Sequence, residues 1–194
     1  LSAFYVDVTK DRMYTLGAKS HERRSTQTAM YLMSEGLARL VAPILPVTAD
    51  QLWQHIPGRR SESVHLEEFP KVESYTDAPL LKTWEVLLGV RETVNSALEQ
   101  KRKDKVIGTS LGARIVLTAS GPVGALLESR RDDLPMLFNV SDVELTAHTA
   151  GSSEQDPASA ANEVRVEVEK APGVKCGRCW RIVPGGRTGP DCVG

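Results

Sequence analysis

Two cysteines separated by two residues, Cys176-Gly177-Arg178-Cys179, are followed by Cys192 after twelve intervening residues, and the 194-residue chain holds no other cysteine. A pair at this spacing can turn both sulfurs toward one centre across a tight turn, and zinc takes four such soft ligands in a tetrahedron. One Zn2+ per chain, held by Cys176, Cys179 and Cys192, is therefore expected. Its role would be structural, because no open position or general base accompanies the thiols. In a zinc ribbon the second half repeats the first, so a fourth ligand is expected three residues after Cys192, just beyond Gly194. A redox pair of the thioredoxin kind would stand at the start of a helix after a strand, whereas Pro184, Gly185, Gly186, Gly189 and Pro190 follow here, a composition of loops and knuckles. A disulfide requires an oxidising compartment and usually an even cysteine count, which three cysteines fit poorly.

The residues around the pair suggest a purpose. Trp180 stands beside Lys175, Arg178 and Arg181, and an aromatic face among cations can stack an unpaired base while the cations hold phosphates. The same tryptophan could equally serve as a lid over the metal. Catalytic residues are not expected. His21, His55, His65 and His148 are scattered, no glycine-rich phosphate loop ends in Lys-Ser or Lys-Thr, and no Gly-x-Ser-x-Gly elbow occurs.

The elements that must position these groups are mostly helical at first. Leu1, Phe4, Tyr5 and Val8 recur at helical spacing and predict an amphipathic helix ending near Gly17. Ser20 is placed to cap a second helix with Met30, Met33, Leu37, Leu40 and Val41 along one side, halted by Pro43. Thr48 with Gln51 matches a capping box for a short third helix through Trp53, stopped at Pro57-Gly58. Three helices with short connections suggest part of a bundle. Residues 58–79 read as a connector around one extended piece, SVHLEEFP.

A long helix with Leu81, Trp84, Leu88, Val94 and Leu98 on its apolar side is then expected to run out at Lys101, Arg102 and Lys103, cations that suit a helix C-terminus. The run LGARIVLTA predicts a strand, Val123–Arg130 a short helix, Asp142–Ala147 a second strand, and the alternation Val164, Val166, Val168 a third. The Ser, Ala and acid-rich stretch GSSEQDPASAAN reads as a flexible loop between them. The expected fold class is α+β in three parts: residues 1–79 helical with a connector, 80–170 a long helix with a small α+β subdomain, and 171–194 a zinc knuckle.

Hydrophobic residues make up 41% of the chain and charged residues 25%, an ordinary globular balance. No apolar run is long enough to span a bilayer, and the opening residues lack the basic start and apolar core of a secretory signal, so a soluble cytoplasmic chain is expected. The net charge of −1 argues against indiscriminate nucleic-acid binding, yet charge is segregated. Residues 170–194 hold five basic residues and one acid, whereas residues 130–169 hold nine acids and three basic residues. The first residue is Leu1, and the opening segment looks like the middle of a helix, so the chain reads as part of a larger protein.

Taken together, LSAFYVDVTKDRMY, RRSTQTAMYLMSEGLARLVAPILPVTADQLWQHIP and SVHLEEFP resemble the anticodon-binding helical domain of class I synthetases for branched aliphatic amino acids. The stretch WEVLLGVRETVNSALEQKRKDKVIGTSLGARIVL resembles the region after that domain in bacterial-type isoleucyl-tRNA synthetases, and KCGRCWR resembles their terminal zinc knuckle. The likeness spans nearly the whole chain. Valyl-tRNA synthetases share the helical domain but usually end in a coiled coil. Gly177 departs from the family pattern, which often has Glu there, and the fourth cysteine is missing, which puts metal affinity in question. The resemblance implies tRNA(Ile) as partner, upstream catalytic and editing domains in the same polypeptide, ATP used only by those domains, and a monomer. Its RNA-facing candidates are Arg12, Arg23, Arg24, Lys101, Arg102, Lys103, Lys175, Arg178, Trp180 and Arg181. A valyl-type C-terminal region and a freestanding zinc-ribbon interaction module remain alternatives.

Overall fold

The structure is a computed structural model and describes residues 2–71, 75–147 and 164–185. It is helix-rich with two small sheets, and its chain divides into two compact units, residues 16–77 and a second formed by residues 1–15 with 78–194.

In the unit of residues 16–77, helix α2 (His21–Val41) begins where the sequence predicts, with the Ser20 side chain accepting a hydrogen bond from the Arg23 amide. Helix α3 (Pro46–His55) starts two residues before the predicted capping box. Pro46 takes the first position, where a fixed φ and a missing N–H cost nothing, so Thr48 lies inside the helix and no side chain caps it. The segment read as an extended connector folds back instead. Val64–Leu66 forms a 3-10 turn, with the Asp50 carboxylate accepting from Ser63 Oγ at 2.6 Å and from the Val64 amide at 3.1 Å. Those two bonds, the hydroxyl's first, hold the Asp50 carboxyl below its ordinary value of 3.8. Val64 then packs with Ala38, Ala42, Ala49 and Ile56 around Trp53, which is 1% exposed. Trp53 donates its indole N–H to the Ser61 carbonyl, and the Arg60 guanidinium lies 4.6 Å from its ring centroid. The apolar stripe predicted for α2 packs only in part: Val41 lies against this core and Met30 and Met33 are half-buried, but Leu37 and Leu40 are exposed, and Ala38 and Ala42 supply the closest approach. Small residues let the α2 backbone approach Trp53, which the bulkier stripe would prevent.

In the other unit, a π-helical turn (Ser2–Val6) leads into α1 (Asp7–Tyr14). The Phe4 ring meets Trp84 edge-on at 5.9 Å, and Arg12 pairs with Asp133 at 2.8 Å. These contacts tie the first helix to later elements, whereas the sequence-based division at residue 79 groups it with α2 and α3. Helix α4 (Ala78–Lys103) buries Leu87, Val90, Val94 and Leu98. The predicted Leu81, Trp84 and Leu88 remain substantially exposed, because the buried stripe follows the face that meets the sheet. Strand β1 (Ala113–Ala119) is central and alternates in burial, with Ala113, Ile115 and Leu117 fully inside. Helices α5 (Gly121–Ser129) and α6 (Leu134–Phe138) carry the chain to β2 (Asp142–Ala147), parallel to β1, and β3 (Arg165–Lys170) pairs with β1 antiparallel. Register places Ile115 between Val143 and Val168, and Leu117 between Leu145 and Val166, on the face that packs with Leu127, Leu137 and Phe138. The opposite face is polar, with Arg114 pairing to Asp142 and Glu144. The predicted loop GSSEQDPASAAN lies outside the described residues.

Candidate functional site

A two-stranded hairpin closes the described chain, with β4 (Val174–Lys175) antiparallel to β5 (Ile182–Val183). Its approach requires glycine at position 173: φ is +128°, and a side chain there would bring Cβ to 2.2 Å from the Val183 carbonyl oxygen. The turn between the strands holds both members of the cysteine pair. The Cys176 amide donates to the Arg181 carbonyl at 2.9 Å, the Trp180 amide donates to the Cys176 carbonyl at 3.0 Å, and the Arg178 amide donates to Cys176 Sγ at 3.4 Å. Cys176 is 0% exposed and Cys179 5%, clustered with Val183.

This arrangement fits one half of a tetrahedral thiolate site. Two sulfurs sit inside a tight turn, as two thiolate ligands of one ion require, and a backbone N–H is directed at one of them. Cys192 lies outside the described residues, and among the described residues no group of three or more His, Cys, Asp or Glu side chains converges. Of the histidines, the His55 ring contacts the Gln51 carbonyl and the His65 ring the Pro46 carbonyl, both within residues 16–77, while His148 is outside the described residues.

The hairpin is fastened to its own unit from three sides. Arg181 pairs with Asp11 at 2.8 Å, both side chains largely buried, and Arg178 donates to the Thr15 carbonyl at 2.5 Å. The Ile182 amide donates to Ser141 Oγ, whose hydroxyl donates to the Leu111 carbonyl. Trp180 is left outward, 63% exposed, with its backbone held at φ +65° and Lys175 Nζ 5.6 Å from its ring centroid. A non-glycine residue in that conformation costs on the order of 1–3 kcal/mol, so the turn holds an aromatic face to solvent against local preference.

The other candidates divide by what they already hold. Arg12 is committed to Asp133, and the Arg23 guanidinium donates to the Leu16 carbonyl at 2.9 Å. Arg102 bonds Glu99 at 2.5 Å and Ser110 at 3.0 Å. Arg24 and Lys103 are exposed, and Lys101 is half-buried on the last turn of α4. No local pattern marks Asp11 and Asp133 as the acids that engage Arg181 and Arg12, since 170 and 121 residues separate the partners.

Residues 1–117 match the family model for the anticodon-binding domain of tRNA ligase. Over 186 residues the chain is 48% identical to an isoleucine–tRNA ligase of Syntrophotalea carbinolica, covering 93% of this chain and 19% of that protein. It is 41% identical over 189 residues to the isoleucine–tRNA ligase of Natranaerobius thermophilus, covering 95% and 20%, and 43% identical over 185 residues to that of Halalkalibacterium halodurans, with the same shares. The chain spans about a fifth of the length of the curated relatives it matches.

Proposed function

The chain belongs to the family of anticodon-binding domains of tRNA ligases, and from that premise we propose that it is the tRNA-recognising end of an isoleucine–tRNA ligase. In this reading the parent enzyme joins isoleucine to tRNA(Ile) with ATP. Amino-acid activation and editing belong to parts of the polypeptide outside residues 1–194. The relatives at 41–48% identity are all isoleucine enzymes by name, which favours tRNA(Ile) over the valine tRNA of the sister family.

The observation that carries the proposal is the outward Trp180 beside Lys175, set on a hairpin pinned to the rest of its unit, in a chain of this family. Trp180 stacks an unpaired base of the anticodon loop, while Lys175 meets a phosphate and Arg178, one guanidinium nitrogen of which donates to the Thr15 carbonyl, turns its remaining N–H groups to another. Arg24, Lys101 and Lys103 supply further phosphate contacts from the helices. Arg12, Arg23, Arg102 and Arg181 act through their internal partners, holding the elements that carry the contacting residues. Cys176 and Cys179, with Cys192 and a fourth thiol just beyond Gly194, would hold one structural Zn2+, whose contribution is to lock the turn rather than to activate water. A cytoplasmic, monomeric parent enzyme completes the reading.

Binding of tRNA(Ile) and of non-cognate tRNAs, measured against salt concentration, tests it. Preferential binding of tRNA(Ile), falling as salt rises and weakened roughly five- to 150-fold by Trp180→Ala, is the expected result, since stacking contributes about 1–3 kcal/mol per base. Equal binding of every tRNA would count against it. Zinc analysis of the chain extended by its next native residues should return one metal per chain.

A further inference from the structure

The hairpin that carries Trp180 is too short to place itself. Each of its strands has two residues, and an isolated pair of strands is marginal in water even when longer. Its internal bonds, from the Cys176 amide to the Arg181 carbonyl and from the Trp180 amide to the Cys176 carbonyl, set the direction of Trp180 relative to the turn. Where the turn stands is decided at the C-terminal end of α1. Arg181 Nε, at 3.2 Å, and Nη2, at 2.8 Å, both donate to Asp11 Oδ2, and the two side chains are only 16% and 14% exposed. One helical turn further on, Arg178 donates to the carbonyl of Thr15, whose own amide and hydroxyl both donate to the Asp11 carbonyl. Asp11 thus lies under both anchors: its carboxylate takes Arg181, and its carbonyl holds the residue that takes Arg178. The indole of Trp180 is carried between those two clamped arginines.

We propose that Asp11 is a positioning residue for RNA recognition, fixing where Trp180 stands while the metal proposed for the cysteines fixes only the shape of the turn. The inference rests on the reading of Trp180 as the group that stacks a tRNA base. The low exposure of the pair supplies the physical reason. With the carboxylate charge removed, Arg181 is an uncompensated cation in a nearly closed site, and it regains hydration by swinging out. Trp180 adjoins Arg181 in the chain, so the indole leaves with it. The two cysteines keep their turn, whose backbone bonds do not involve α1.

Binding of tRNA(Ile) by the zinc-loaded full-length gene product, together with hydrogen exchange read by mass spectrometry, tests the proposal. Asp11→Asn should weaken binding on the order of tenfold, but by less than about twofold when Trp180→Ala is already present, because a residue that acts through the indole has nothing to act on once the indole is gone. Zinc should stay at one per chain, exchange should quicken in residues 174–183, and residues 2–10 should exchange as before. Losses that simply add would overturn the proposal, since Asp11 would then serve RNA by another route. Loss of zinc, or faster exchange in residues 2–10, would overturn it too, assigning Asp11 to the metal or to the docking of α1. So would unchanged binding by Asp11→Asn where Trp180→Ala weakens it. Trp180→Ala without effect on tRNA binding is a distinct result, which removes the stacking reading and the proposal with it. If Asp11→Asn does not accumulate as folded protein, Ser141→Ala, which deletes the hydroxyl that accepts from the Ile182 amide, is judged by the same cycle with Trp180→Ala.

Discussion

The two compact units bury their interiors in opposite ways. Residues 16–77 gather one large side chain, Trp53, among Ala38, Ala42, Ala49, Ile56 and Val64. The other unit spreads burial over a sheet face and three helices, with Ile115, Leu117, Leu127, Leu134 and Phe138 sharing it. A core built around a single residue has little capacity to relax when that residue is lost, whereas a layered aliphatic core redistributes the loss. The unit with the single-residue core also leaves Leu37, Leu40 and Ile44 exposed.

This contrast is most directly broken at Trp53. Trp53→Ala should cost about 3–5 kcal/mol, enough to unfold residues 16–77 while hydrogen exchange in β1 stays protected. Loss of protection in β1 at the same time would show that the two units fold as one. Leu117→Ala, 0% exposed at the centre of the sheet, should cost about 2–5 kcal/mol and lower the thermal transition of its own unit, leaving α2 and α3 protected.

The hairpin represents a third, local kind of stability. Cys176→Ser in the extended chain should take zinc from one per chain to none and speed amide exchange in residues 171–185, with helical circular dichroism unchanged. Global unfolding would contradict the local role. Ser20→Ala removes the α2 cap and should cost about 1 kcal/mol, read as a lower midpoint in urea for residues 16–77.

The smallest effect concerns acid. The Asp50 carboxyl is depressed in the folded state, so its contribution is fully present above the ordinary value of 3.8 and is lost as pH falls through the lower folded value. Asp50→Asn should flatten the acid limb of the stability profile of residues 16–77 in that window and leave the profile of the other unit unchanged.

Much of this architecture was legible from local chemistry. Ser20 announces a cap, Asp142–Ala147 and the alternating valines around Val166 announce strands, and the basic run at Lys101 to Lys103 marks the end of α4. These signals survive because capping, alternation and helix-end charge act within a few residues. The cysteine pair was legible as a turn for the same reason.

What a helix does with two apolar sides is a different matter. Periodicity identified Leu37 and Leu40 as a stripe, but whether that stripe or the Ala38 side meets Trp53 depends on how closely two backbones approach, which no spacing along one segment encodes. The same holds for Arg181 and Arg12, whose charges read as surface until the fold brings Asp11 and Asp133 to them, and for Trp180, turned outward by a backbone conformation that its own residue type disfavours. Local sequence determined which elements form and where they end. Only tertiary structure decided which sides they bury and which charges remain available, because those outcomes depend on contacts between separate elements, from the next helix for Ala38 and Trp53 to 170 positions away for Arg181 and Asp11.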